Sequence, residues 1–178
     1  MPKLIVFGTY HDVQGLKNFE KNVTDPDYKA ILGVMIQEHS VDFIFEEASR
    51  TGPSVASEMA AGRYLDIDSD TTYQFLSQFS EASERLYLPE ILVKSRVQDT
   101  ARTLALTVED RRERSWVEKI KTQKFNTGLV ICGVVHSLSI AFRLQGAGFD
   151  VEAYHYEPIK RLCDAFYPRC GSRGEPQN

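Results

Sequence analysis

What this chain has little of narrows its class before any motif is read. No uninterrupted apolar run approaches the roughly 18 residues that a membrane span needs. Leu4-Ile5-Val6-Phe7 is too short for the apolar core of a signal peptide. Neither sign of charge dominates: 21 Lys and Arg face 25 Asp and Glu, a formal net charge of −4. A nucleic-acid binder shows a basic stripe. Here the most basic helical segment, Arg111 to Lys124, also carries Glu113 and Glu118, so it reads as a solvated, mixed-charge face. Cysteine is scarce and odd in number, three in all, which suits a reducing cytosol better than a disulfide scaffold. Cys132 reads as a small buried hydrophobe, and Cys163 and Cys170 match no zinc spacing. A Gly-rich phosphate loop is missing, as is a serine in a nucleophile elbow. These deficits point to a cytoplasmic protein with neither nucleic acid nor membrane among its partners.

What is there suffices for one core. A chain of 178 residues, 42% of them apolar, can bury a single sizeable interior. Residues 1–169 read as one α/β domain, and 170–178, rich in Gly, Pro and polar residues, as a disordered tail. Met1 to Phe7, Val41 to Phe45 and Gly128 to Gly133 read as buried strands of a mostly parallel sheet flanked by helices. Tyr64 to Asp68 is a short alternating run, and Phe149 to Tyr154 reads as an edge strand. Asp25 reads as a helix cap, and Pro26 suits the first helical position. Tyr28, Ile31, Leu32, Met35 and Ile36 then recur at helical spacing on one face. Strand, helix, strand in about forty residues is a βαβ unit with parallel strands. Thr71 to about Val97 and Thr100 to about Lys124 read as helices, the second with Trp116, Val117 and Ile120 on one side. This helical middle is expected to cap or flank the sheet. Leu138 to Leu144 reads as a helix stopped by Gly146 and Gly148.

Chemistry concentrates where strands end. Gly8-Thr9-Tyr10-His11 and Gly133-Val134-Val135-His136 each follow an apolar run, and Glu46-Glu47 closes the strand at Val41 to Phe45. An open α/β sheet binds its ligands at such carboxyl ends. Histidine serves as a metal ligand or as an acid and base near neutral pH. Two histidines with one or two carboxylates suit Zn, Mn, Fe or Co with a position left for water, or else a histidine base whose tautomer a carboxylate fixes. Strand alternation sends Glu46 and Glu47 to opposite faces, so one of them points at a shared site unless the chain bends. His39 reads as a helix-end cap and His155 as a surface residue. Glu109 to Arg114 reads as an exposed helix face with i,i+4 pairs.

The order of these motifs resembles the TraB/Tiki superfamily, which includes erythromycin esterase-like and ChaN-like proteins. The similar elements are Gly8-Thr9-Tyr10-His11, Glu46-Glu47, Arg112-Glu113-Arg114-Ser115-Trp116, Gly133-Val134-Val135-His136 and the return Gly146-Ala147-Gly148. The resemblance spans roughly Leu4 to Tyr154. The resemblance implies a site built on His11, Glu46 and His136, with Glu47 and Arg114 as close partners and Asp68 as an additional metal ligand. It implies a hydrolase acting on a small-molecule or peptide substrate, with a divalent metal (Mn, Zn, Co or Fe) or an attacking water held at that site. Two other readings are a binding protein for metal, haem or another ligand, and an interaction module of a larger bacterial system. A homodimer is compatible with each.

Overall fold

The computed structural model describes residues 1–10, 26–48, 54–60, 62–68 and 110–156. His11, Asp25, the segment from Ser69 to Thr107, Cys163, Cys170 and the 170–178 tail lie outside the described residues. Five strands form one sheet: β1 (Lys3–Thr9), β2 (Phe43–Glu46), β3 (Tyr64–Asp66), β4 (Thr127–Gly133) and β5 (Asp150–His155). The described helices are α1 (Pro26–Glu38), α2 (Val55–Met59), α3 (residues 110–121) and α4 (Val134–Gly146).

All strand pairs are parallel, in the order β3-β2-β4-β1-β5. The chain steps one way across the sheet from β1 to β3 and the other way from β3 to β5. Helices α1 and α2 follow the first direction and α3 and α4 the second, and they cover opposite faces, as crossovers of one hand require. Strand alternation sorts the core accordingly. Leu4, Val6, Phe45, Val130 and Cys132 face Trp116, Val117 and Ile120 of α3 and Ile140 and Leu144 of α4. Ile5, Phe7, Ile44, Leu129 and Ile131 face Tyr28 and Leu32 of α1 and Val55 and Ala56 of α2. The expected helical face of α1 is buried at Tyr28 and Leu32, whereas Ile31 lies on its exposed rim. His155 is exposed, and the His39 ring packs at 5.7 Å against Tyr154.

Strand β4 lies between β1 and β2, so its carboxyl end meets two strands whose chains leave in the opposite direction. This is the switch point at which an open parallel sheet forms a ligand crevice. Register sets Thr9 opposite Gly133 there and Glu46 opposite Ile131. Gly133 caps α4, so the helix begins at Val134, four residues earlier than the Leu138 start expected from sequence. His136 therefore sits in the first turn of a helix and not in a loop. The β-branched pair Val134-Val135 hid that start. Gly8 lets this turn approach the sheet: a Cβ there would lie 2.7 Å from Ser137 Cβ, closer than packed atoms come.

Candidate functional site

Beyond β2, β3 and β4, one face of the sheet carries a buried network of charges. Glu47 is the first residue after β2. Its Oε2 accepts the Gly133 backbone N–H at 2.7 Å, so the carboxylate sits at the positive end of α4. Its Oε1 accepts from Arg112 Nη2. Asp68, two residues past β3, takes the other fork of the same guanidinium: Arg112 Nε to Oδ1 and Nη2 to Oδ2, both 2.8 Å. The ring of Trp116 lies beneath this cation, 4.8 Å from Arg112 Cζ, and its Nε1 donates to Asp68 Oδ1 at 3.3 Å. Arg112, Glu47 and Asp68 are all buried. A buried guanidinium without carboxylate partners would be costly, and the paired forks offset that cost.

His136 stands beside this cluster. Its Nδ1 is 3.0 Å from Glu113 Oε1, and its Nε2 is 3.4 Å from Arg112 Nη1 and 3.9 Å from Glu47 Oε1. Trp116 meets the imidazole edge-on at 5.3 Å. A carboxylate against Nδ1 keeps the proton on that nitrogen and turns the Nε2 lone pair toward Arg112. Burial raises the Glu113 pKa, but hydrogen bonds from His136, Ser139 and Arg143 outweigh it and hold the carboxyl below its ordinary value. Glu113 is thus a charged partner for the imidazole.

Glu46 belongs to a different environment. It points to the opposite face, where its Oε2 accepts from Ser54 Oγ and, at 2.8 Å, from Tyr64 Oη. Burial, opposed by these two bonds, pushes its pKa from 4.5 up to about 7. Among the described residues its Oε1 is buried without a partner, and so are Tyr28 Oη and Thr9 Oγ1.

The expected site residues are therefore divided. The structure brings His136, Glu47 and Asp68 together, puts Glu46 behind the sheet and leaves Arg114 outside the cluster. The Arg114 side chain is 69% exposed and bonds Asp110 at 2.8 Å, four residues back. The arginine inside is Arg112. Arg112 and Glu113 also correct the reading of their segment as a solvated face, since both are buried. A signal for this was present: extending the apolar stripe Trp116, Val117, Ile120 back by one turn reaches Arg112 and Glu113. Ser139 and Arg143 were missed as well, although they follow His136 at i+3 and i+7 on α4.

The described members of the expected metal set do not fit a metal ion. Glu46 is bonded on the far face, Asp68 spends both oxygens on Arg112, and the guanidinium sits 3.4 Å from His136 Nε2, where its charge repels a divalent cation. Among the described residues no three His, Cys, Asp or Glu side chains are grouped to hold one. Likewise, no helix among them is long and apolar enough to cross a membrane. Comparison with protein-family models, curated proteins and solved structures finds no match to this chain.

Proposed function

We propose that this protein is a hydrolase whose working base is His136. The observation that carries the reading is the 3.0 Å contact between His136 Nδ1 and the buried Glu113 carboxylate, at the carboxyl edge of a parallel sheet. With Nδ1–H donated to Glu113, Nε2 takes a proton from water as the water attacks an ester or amide carbon. The Arg112 guanidinium, held by Glu47 and Asp68, stabilises the negative charge that develops on the carbonyl oxygen. The imidazolium then returns its proton to the leaving group. The substrate class is a small molecule or peptide with such a bond. The resemblance to the TraB/Tiki superfamily supports the same reading, with Arg112 and Glu113 taking the part expected of Arg114.

A second reading is a binding protein without turnover. It is favoured by the saturation of Arg112, whose charge Glu47 and Asp68 already neutralise. A panel of chromogenic esters, amides and phosphoesters, run before and after exhaustive chelation, separates these readings. The proposal expects an ester or amide to be hydrolysed equally well in both conditions. No turnover across the panel would favour the binding reading. Activity removed by EDTA and restored by Mn²⁺, Zn²⁺ or Co²⁺ would replace the histidine base with a metal site.

A further inference from the structure

The pair of His136 and Glu113 does not end at Glu113. Its two carboxylate oxygens have different tasks. Oε1 faces the imidazole. Oε2 accepts from Ser139 Oγ at 2.5 Å and from Arg143 Nε at 2.9 Å. Arg143 in turn donates from Nη2 to Asp110 Oδ1 at 2.5 Å, and Asp110 Oδ2 accepts from Arg114 Nε at 2.8 Å. Charge alternates along this chain from an exposed arginine to the buried imidazole: Arg114, Asp110, Arg143, Glu113, His136. The geometry is economical in sequence. His136, Ser139 and Arg143 lie at i, i+3 and i+7 on α4, one face of one helix, and Asp110, Glu113 and Arg114 lie within a turn of α3.

We propose that Arg143, supported by Asp110 and Ser139, is a positioning residue that holds Glu113 so that it selects the Nδ1–H tautomer of His136. A carboxylate fixed at one oxygen by two donors cannot turn that oxygen toward the ring, so the other is presented to Nδ1. Without the clamp, Glu113 rotates toward solvent at the α3–α4 seam, the long 3.4 Å contact from Arg112 to Nε2 is left to oppose the commoner Nε2–H form, and that form gains population. The nitrogen that must accept a proton is then already protonated. This inference rests on the hydrolase reading for its consequence in rate, but not for its consequence in tautomer.

The experiment uses the full chain and two readouts. At pH 8 the ring nitrogens of His136 are observed by ¹⁵N NMR, with the signals assigned by their loss in His136→Gln. The wild type is expected in the Nδ1–H form and Arg143→Met in a mixture of both forms. Ser139→Ala, which keeps the Arg143 bond to Glu113, should shift the same way by less. Arg143→Lys should recover most of the wild-type signal, because it restores a donor to Oε2. With a substrate from the panel, Arg143→Met should lose about tenfold in kcat with KM unchanged. Unaltered tautomers in both Arg143→Met and Ser139→Ala would overturn the proposal. A tautomer shift without any substrate turned over would uphold the clamp and remove the hydrolase reading alone.

Discussion

Glu46 and Glu47 differ by one position along the chain and by a whole face of the sheet. Glu47 has Arg112 and a helix N-terminus to hold its charge; Glu46 has two hydroxyl donors and one oxygen with no partner among the described residues. The elevated Glu46 pKa, about 7 against an ordinary 4.5, has a definite consequence for stability. Folded Glu46 keeps its proton where the unfolded chain loses it, so the stabilisation is fully present below pH 4.5 and is lost as pH rises through about 7. At about 1.4 kcal/mol per pH unit the loss is on the order of 3 kcal/mol. Urea unfolding at pH 5 and pH 8 should show it, and Glu46→Gln should flatten the difference. An unchanged difference in that variant would place the titrating group elsewhere. Trp116 sits at the other extreme of the residue scale. It is buried, packs on His136 and Arg112 and bonds Asp68. Trp116→Ala should cost about 3–5 kcal/mol in denaturant unfolding; a cost below about 1 kcal/mol would contradict its place in the core.

At the scale of elements, sequence periodicity was informative wherever burial alone decides structure. The runs Leu4 to Phe7 and Leu129 to Cys132 are strands because both faces of a parallel sheet are covered, and even the three-residue β3 was visible as alternation ending in carboxylates. The parallel relation of β1 and β2 followed from the helix between them, although β4 inserts between the two strands. Helix α3 was legible as a helix, but the arginine expected at the site was Arg114 and not Arg112. Its opening turn mixes Asp110, Arg111, Arg112, Glu113 and Arg114, and composition alone cannot say which charges point inward. Only the partners do, and Glu47, Asp68 and His136 come from sequence-distant strand ends. Gly8 shows the same dependence. Its role is to admit the first turn of α4, which no local pattern specifies. Gly8→Ala should cost about 1–3 kcal/mol through overpacking against Ser137. Because the contact is shared, Gly8→Ala with Ser137→Gly should lose less stability than the two single variants added together. Thermal melts of the three variants check this, and strict additivity would contradict the contact.

Over the whole molecule, one feature of topology accounts for where the buried charge network sits. The connections that leave β1 and β2 run one way across the sheet and the connection that leaves β4 runs the other way, and the charges on one side of the sheet's carboxyl edge form a connected set, with two carboxylates on Arg112 and one on His136. The sequence motifs include Glu47, Asp68 and His136, which meet at this edge, whereas alternation along β2 separates Glu46 from His136 and a helix face supplies Arg112 and Glu113 in place of Arg114. The central claim is that the imidazole, set by Glu113, does the proton transfer. It is tested most directly by comparing kcat/KM of exhaustively chelated wild type with that of chelated His136→Gln on the best ester or amide from the panel. Glutamine keeps a polar group near Glu113 and removes the base. The account predicts a loss of about 10²–10⁴-fold in a variant whose thermal melt remains cooperative. A His136→Gln protein that hydrolyses the substrate at the wild-type rate would contradict it.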